Sequence, residues 1–261
     1  CGVLGMWTYS MDTLALTIGA VVLSLAIALP IGIWAGLNDR VMRAVRPVLD
    51  LAQILPTLVY LAPLALVFLI GIAASTIATM IYSIPIGIRI TAHAIRSLQN
   101  GPIEAAESMG STRWQKLTKV QLPMAKRTII LGVNQTTLAA LSFVVIAALI
   151  GAPGLGEPVL QALSIRNIGD GVTAGLAVVF LAVMLDRATT AAVVHSNQIP
   201  LTGQPLLVRR LSLGAAAIAT IIAIMISRQQ LWAAIFPESL DFRGPIGDWF
   251  DAITEWFTTT F

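Results

Sequence analysis

Residue types that carry out catalysis are sparse in this chain of 261 residues. Its two histidines, His93 and His195, lie far apart in the sequence, and its single cysteine is Cys1. Neither the ligand spacing of a metal site, nor a Ser-His-Asp set, nor a pair of catalytic carboxylates is visible. The sequence therefore disfavours an enzyme and predicts no metal site.

One group of residues does have a fixed and informative spacing. It consists of a Glu-Ala-Ala run, three residues, a glycine, nine residues, and a short segment that ends in Leu-Pro: Glu104, Ala105, Ala106, Gly110, Val120, Gln121, Leu122 and Pro123. The small alanines would let another surface approach closely, and hydrogen bonds or a basic partner could hold the glutamate. This chemistry is that of a docking surface.

The same segment predicts two short helices joined by a turn. Pro102 suits the first position of a helix, and Gly110 suits its C-terminal cap. Ser111 is the predicted N-cap of the second helix. Pro123 should end or kink that second helix, since proline removes a backbone donor. The segment is therefore expected to form a rigid knob.

The composition places this knob on a membrane protein. Hydrophobic residues make up 57% of the chain and charged residues only 11%, whereas soluble domains have about 25% charged residues. Six apolar segments are long enough to cross, or nearly cross, a bilayer about 30 Å thick. We expect these spans at residues 13–37, 48–70, 72–95, 128–150, 172–186 and 211–227.

The basic residues orient these spans. If the spans alternate, the loops after the first, third and fifth carry twelve Lys and Arg residues, and the opposite side carries Arg166, Arg228 and Arg243. Because Lys and Arg favour cytoplasmic loops, the knob should be cytoplasmic and the N-terminus outside. The twelve residues are Arg40, Arg43, Arg46, Arg96, Arg113, Lys116, Lys119, Lys126, Arg127, Arg187, Arg209 and Arg210.

Polar and glycine-rich segments mark two further candidate sites. Asn134, Gln135, Thr136 and Ser142 lie inside the fourth span, where they could line a passage or hydrogen-bond to other helices. At the outer end of that span, an external gate or an ordinary turn would fit the residues Gly151, Gly154, Gly156 and Glu157.

The Glu-Ala-Ala segment resembles the EAA loop of permease subunits of binding-protein-dependent ABC importers, with Val120 where that family has isoleucine. This resemblance implies an all-α membrane fold with a core of five helices. It also implies that the knob docks on a separate ATPase subunit, which carries ATP and Mg²⁺. No P-loop sequence occurs in the chain, so we expect no cofactor bound directly.

Other segments resemble the subgroup that imports quaternary amines such as glycine betaine, proline betaine, choline or carnitine. The resemblance spans roughly Thr8 to Arg187, and its segments are 11–16, 132–163 and 185–187. It implies three protein partners: the ATPase, a periplasmic or lipid-anchored solute-binding protein, and a second permease domain. Location in the bacterial inner membrane follows, and nucleic acid is not expected as a partner.

The chain divides into three predicted parts. Residues 8–187 form the permease core, residues 188–227 a cytoplasmic linker and an additional span, and residues 228–261 an external amphipathic tail. In the tail, apolar residues recur with helical spacing between Ile246 and Phe257, which suits a helix lying in the membrane interface. The tail resembles the segment that precedes the core helices in the subgroup, which suggests the start of a second permease half.

Two alternatives to this function remain open. One is an ABC permease for methionine or another small solute, because the EAA loop is shared by many such permeases. The other is a secondary transporter that works without an ATPase. A secondary transporter needs ion-coupling carboxylates inside the membrane, whereas Asp12 and Asp186 lie at the ends of predicted spans.

Overall fold

A computed structural model of the chain describes residues 4–197 and 243–260. Those residues form ten α-helices and no strands. A π-helical turn, Leu117–Gln121, precedes α7, and a 3₁₀ turn, Ala147–Ile150, follows it. The helices are α1 Trp7–Leu37, α2 Asp39–Ile54, α3 Thr57–Phe68, α4 Ile72–Arg96, α5 Asn100–Ser108, α6 Arg113–Lys116, α7 Leu122–Ile146, α8 Gly156–Ile165, α9 Ile168–Asn197 and α10 Arg243–Thr260.

Helix α4 packs against both α1 and α7, and α1 and α7 also contact each other. Small side chains allow the α1–α4 approach: Ala20 and Ala28 on α1 are fully buried. Between them, the Ser24 hydroxyl lies 2.7 Å from the Ser83 hydroxyl of α4. Small residues with occasional hydroxyl bonds are typical of helix pairs in membranes, so this pair forms the rigid centre of a membrane bundle.

The second predicted span is wrong as a single helix. Residues 48–70 fall on two helices, α2 and α3, which are separated at Leu55 and Pro56. Leu55 is extended (ψ 127°), because a residue that precedes proline is driven out of the helical region. Four helical segments among the described residues are long and apolar enough to cross a membrane: Trp7–Leu37, Ile72–Arg96, Arg113–Ile150 and Ile168–Ala191.

The fifth predicted span is too short. It was expected to end at Asp186, but α9 continues to Asn197. Its apolar stretch, Ile168–Ala191, contains Asp186, so this carboxylate lies within a candidate span and not at its end. The sixth predicted span and the linker before it lie outside the described residues.

Hydrogen bonds show which helix ends lie together. At one end, the Arg96 guanidinium of α4 donates to the Ala35 carbonyl of α1 at 2.9 Å and pairs with Asp39 at 2.7 Å. At the other end, the backbone N–H of Leu155 donates to the Thr13 hydroxyl at 2.7 Å. The basic loops after α1 and α4 therefore share one end of the bundle, as the distribution of charge predicts, and the glycine-rich turn lies at the other.

The predicted helix of the tail is present as α10, and it packs against α9. Asp251 accepts a hydrogen bond from the backbone N–H of Gly169, in the first turn of α9, at 2.8 Å. Ile246 packs against a core cluster that contains Met6 and Leu181. One face of α10 is thus occupied by the bundle itself, while Trp249 is exposed.

Candidate functional site

The first arm of the predicted knob is α5, which begins at Asn100, so Pro102 lies in its first turn and not at its first position. Glu104 and Ala105 are exposed, whereas Ala106 is buried. Only one of the two alanines therefore belongs to the outer surface of the knob. Ala106 is only 4% exposed and is therefore not available to a partner.

Gly110 ends the first arm as predicted. Its φ of +76° is a left-handed conformation that favours glycine. The N–H of Ser111 donates to the Ala106 carbonyl at 3.1 Å, and the N–H of Gly110 donates to the Glu107 carbonyl at 2.9 Å. These two bonds form a Schellman motif. The turn is therefore fixed by backbone geometry.

The second arm begins one residue later than predicted, because Thr112 and not Ser111 is its N-cap. The Thr112 hydroxyl accepts from the N–H of Gln115 at 3.3 Å, and the Gln115 side chain accepts from the N–H of Thr112 at 2.9 Å. This is a capping box. The Lys116 ammonium also pairs with the Glu107 carboxylate, so an ion pair joins the second arm to the first.

The helix neither ends nor breaks at Pro123. Its backbone widens into the π-helical turn, where the N–H of Leu122 donates to the Leu117 carbonyl. Pro123 follows in the first turn of α7. A π turn is a common way to accommodate an irregularity inside a helix, and here it lies just before a proline, whose ring would clash with the carbonyl four residues earlier in a regular α-helix. The second arm is therefore continuous with a helix long enough to span the membrane.

The candidate path residues divide between two faces of α7. Asn134 and Thr136 are buried inside the bundle, whereas Gln135 and Ser142 are exposed. The hydroxyls of Thr136 and Ser142 are both satisfied within the helix, by the Gly132 and Leu138 carbonyls. Gln135 has no hydrogen-bond partner in the described part of the chain. The four residues therefore do not form one site.

Asn134 ties α7 to α9. Its amide nitrogen donates to the Asp186 carboxylate at 3.0 Å, and its amide oxygen accepts from the Thr189 hydroxyl. Helix-to-helix hydrogen bonding, one of the two roles considered for Asn134, is the one that the geometry supports. Sequence reasoning missed Thr189, although its spacing of three residues from Asp186 places both on one face of a helix.

The predicted external gate is a tightly packed turn. Gly154 and Gly156 are buried, and Gly151 and Glu157 lie nearer the surface. A Cβ at Gly156 would lie 2.3 Å from the Val145 carbonyl oxygen. Close packing explains Gly156, while Gly154 combines close packing against Thr13 with a φ of +129° that favours glycine. A role as gate stays a prediction.

Thr13 was not predicted as part of this turn. Its hydroxyl accepts from the N–H of Leu155 and donates to the Tyr9 carbonyl at 2.8 Å. The signal in the sequence was a polar threonine at the start of the first predicted span. The partner, 142 residues away in the sequence, could not be inferred from a local pattern.

This geometry agrees with a comparison against known families. A model of the family described as binding-protein-dependent transport system inner membrane component matches residues 28–228. The chain belongs to this family. It is therefore a multi-pass protein of the inner membrane, and the predicted family is confirmed.

Several relatives of this chain are named as transport permeases. The glycine betaine transport system permease protein OpuAB of Bacillus subtilis (strain 168) is 46% identical over 186 residues, which are 71% of this chain and 66% of that protein. The glycine betaine/carnitine transport permease protein GbuB of Listeria monocytogenes serotype 1/2a (strain 10403S) is 44% identical over 188 residues, 72% and 67% of the two chains. The chain thus spans about two-thirds of the length of these relatives.

Solved structures confirm the predicted fold class. In an inward-facing form of the MetNI methionine ABC transporter, one chain superposes on this chain with a TM-score of 0.68 at 23% identity. The match covers 74% of this chain and 98% of that chain. An amino acid ABC transporter crystallised with histidines gives a TM-score of 0.61 at 19% identity, covering 71% and 91%. At these identities the likeness concerns the fold.

Proposed function

We propose that the chain is the membrane-spanning permease of an ATP-driven importer of glycine betaine or related quaternary amines. The observation that carries this proposal is the knob between α4 and α7, since it is fixed internally and continuous with a spanning helix. The names of the most similar relatives support the class of solute.

In this proposal the knob is the contact for a separate ATPase. Glu104 and Ala105 are exposed on α5 and would meet the partner, while Gly110 sets the angle between the arms. Leu122 and Pro123, at the start of α7, would transmit displacement of the knob into the membrane. ATP and Mg²⁺ would be held by the partner, because the chain has no P-loop sequence.

A second permease domain would cover the exposed face of α7. The side chains of Leu131, Gln135, Ser142 and Ile146 recur along that face and are exposed. An amide that faces lipid without a partner is unfavourable, and Gln135 has none in the described segments. The translocation path is therefore proposed to lie along Gln135 and Ser142, between two permease domains, and not along Asn134 and Thr136.

The opposite end would receive the solute-binding protein. There Gly151 is exposed and Glu157 partly exposed, so these two residues are the accessible members of the proposed external gate. This arrangement requires the N-terminus outside and the knob in the cytoplasm. The proposed mechanism is alternating access, in which closure of the ATPases moves the knobs and opens or closes the path. Binding protein and ATP can shift this equilibrium only if each distinguishes the two states.

ATP-dependent uptake of labelled glycine betaine tests the proposal. The assay uses membrane vesicles with the full-length parent protein, its ATPase and its binding protein. Gly110→Pro should abolish uptake, because proline cannot adopt a φ of +76°. Gly101→Ala is the matched control: it changes a glycine of the same loop that has no atom near its Cβ position, and uptake should persist.

Other solutes distinguish the alternatives. A probable D-methionine permease of Haemophilus influenzae is 28% identical over 200 residues, so methionine uptake is measured in the same vesicles. Uptake of methionine and not of betaine would support the proposal that the chain is a permease but would show that its solute is methionine. Uptake that persists without the ATPase would overturn the importer and favour a secondary transporter.

A further inference from the structure

A polar cleft lies beside the knob at the inner end of the bundle. Its volume is about 570 Å³, which is sufficient for a small polar group. The end of α1, the end of α4 and the second arm of the knob enclose it. Its lining includes Trp34, Ile95, Arg113, Lys116 and Gln121.

The charge of this cleft is positive. Lys116 is paired with Glu107, but Arg113 is exposed and makes no ion pair within the described residues. Among the described residues, no carboxylate lines the cleft. Because guanidinium groups bind phosphate through charge-assisted hydrogen bonds, Arg113 is suited to an anion with phosphate geometry.

Gln121 supplies a second and independent indication of a ligand. This residue is only 7% exposed, it lines the cleft, and its amide oxygen is buried without a hydrogen-bond donor in the described chain. Buried acceptors are nearly always satisfied. The last torsion of a glutamine is broad, so the amide can turn its oxygen toward a donor that enters the cleft.

The position of the cleft relative to the membrane indicates where such a ligand would come from. Trp34 lies one turn before the end of α1, and Ile95 lies at the end of α4, so the cleft opens where two spanning helices leave the membrane. Trp34 is 60% exposed, and tryptophan is enriched at the level of lipid headgroups. Under the orientation proposed above, this is the cytoplasmic leaflet, which carries anionic lipids.

We propose that this cleft binds the headgroup of an anionic phospholipid that carries a hydroxyl, such as phosphatidylglycerol. The phosphate pairs with Arg113, and a headgroup hydroxyl donates to the amide oxygen of Gln121. A zwitterionic headgroup offers no net charge to Arg113 and binds less well. The inference goes beyond transport, because it concerns a lipid site outside the proposed path.

Lipid titration of the complete transporter tests this site. The full-length complex with its ATPase, stripped of lipid in detergent, is titrated with phosphatidylglycerol or with phosphatidylmethanol, and bound lipids are counted by native mass spectrometry. The two lipids have the same charge, but phosphatidylmethanol has no headgroup hydroxyl. The unaltered complex should prefer phosphatidylglycerol by about fivefold, the effect of one hydrogen bond.

Three variants separate the two contacts. Arg113→Gln should weaken binding of both lipids by about tenfold, because the charge-assisted bond is lost. Gln121→Leu should abolish only the preference for phosphatidylglycerol. Arg43→Gln is the matched control: it removes one exposed positive charge from α2, outside the cleft, and should leave both affinities unchanged.

Three results would overturn the proposal. Equal losses in Arg113→Gln and Arg43→Gln would show general attraction to positive charge and no specific site. Binding of soluble sn-glycerol 3-phosphate as tight as that of the lipid would identify a free phosphate ester as the ligand. No lipid in the cleft, together with loss of the ATPase from the Arg113→Gln complex, would assign the cleft to the ATPase interface. None of these results depends on the transported solute.

Discussion

Gly110 in the knob and Gly156 in the glycine-rich turn at the other end of the bundle are needed for different physical reasons. In the inner knob, Gly110 has nothing within 4 Å of its Cβ position, and it is needed for its positive φ. In the turn that contains Gly151, Gly154 and Gly156, here called the outer turn, Gly156 has an ordinary φ. A Cβ at Gly156 would lie 2.6 Å from the Cβ of Ala148. Gly110 is therefore needed for the direction of the chain, and Gly156 for the short distance between two segments.

This difference indicates how each end of the bundle can move. The knob is held by bonds within its own loop, so it can be displaced as a unit without losing its shape. The outer turn is held by other parts of the bundle, such as Thr13 and the carbonyl of Val145, and displacement would break those contacts. Motion transmitted by α7 is therefore expected to be larger at the inner end.

The largest predicted effect lies in the outer turn. Gly156→Ala should lower the free energy of unfolding by about 3 kcal/mol, because the added methyl group overlaps backbone that cannot shift. Thermal unfolding of the full-length protein in detergent measures this loss. Gly19→Ala, at an open position on α1, should cause no loss. Equal stability of the two variants would show that the outer turn is not tightly packed.

Thr13→Val tests the hydrogen bond that fixes the same turn. Valine keeps the shape of threonine but leaves the buried N–H of Leu155 without an acceptor, at a cost of about 2 kcal/mol. Thr76→Val is the control, since the bond that its hydroxyl makes among the described residues is within its own helix, to Ile72. The same unfolding measurement compares the two. A loss no greater than that of the control would mean that the turn is held by packing alone.

Sequence reasoning succeeded where the signal was local. The EAA spacing placed the knob, and the span 72–95 matches α4, Ile72–Arg96, to within one residue. The positive φ of Gly110 was predictable because a short helix followed by glycine has few alternatives. The prediction of the second span as one helix failed for an identifiable reason. Hydropathy is averaged over a window of residues and stays high across Leu55 and Pro56, whereas the backbone leaves the helical conformation there.

Contacts between distant segments could not be predicted. Asn134 was considered a path residue, but its bond to Asp186 depends on how α7 and α9 pack. The exposed position of Gln135, its neighbour, follows from the same packing. A polar residue in a span indicates that some partner exists. The amino-acid sequence does not show whether that partner is another helix, a second domain or a solute.

A smaller effect is expected at the N-cap of the second arm of the knob. Thr112→Ala removes the capping box and should destabilise the start of α6 by about 1 kcal/mol. Because the rest of the bundle is untouched, hydrogen exchange of the amides of residues 113–116 is the suitable measurement. Ser111→Ala is the matched control, since Ser111 is not the cap. Faster exchange in Ser111→Ala than in Thr112→Ala would show that Ser111, and not Thr112, is the N-cap.

The smallest predicted effect concerns the ion pair between Glu107 and Lys116. Their side chains are 54% and 22% exposed, so water screens the attraction, and such pairs contribute about 0.5 kcal/mol. A double-mutant cycle with Glu107→Gln and Lys116→Met gives the coupling energy, read from hydrogen exchange at the Gly110 amide. High salt should reduce this energy further. A coupling energy above about 2 kcal/mol would mean that the ion pair, and not the Schellman turn, holds the two arms together. The knob would then lose its shape whenever charged groups of a partner competed for Glu107 or Lys116.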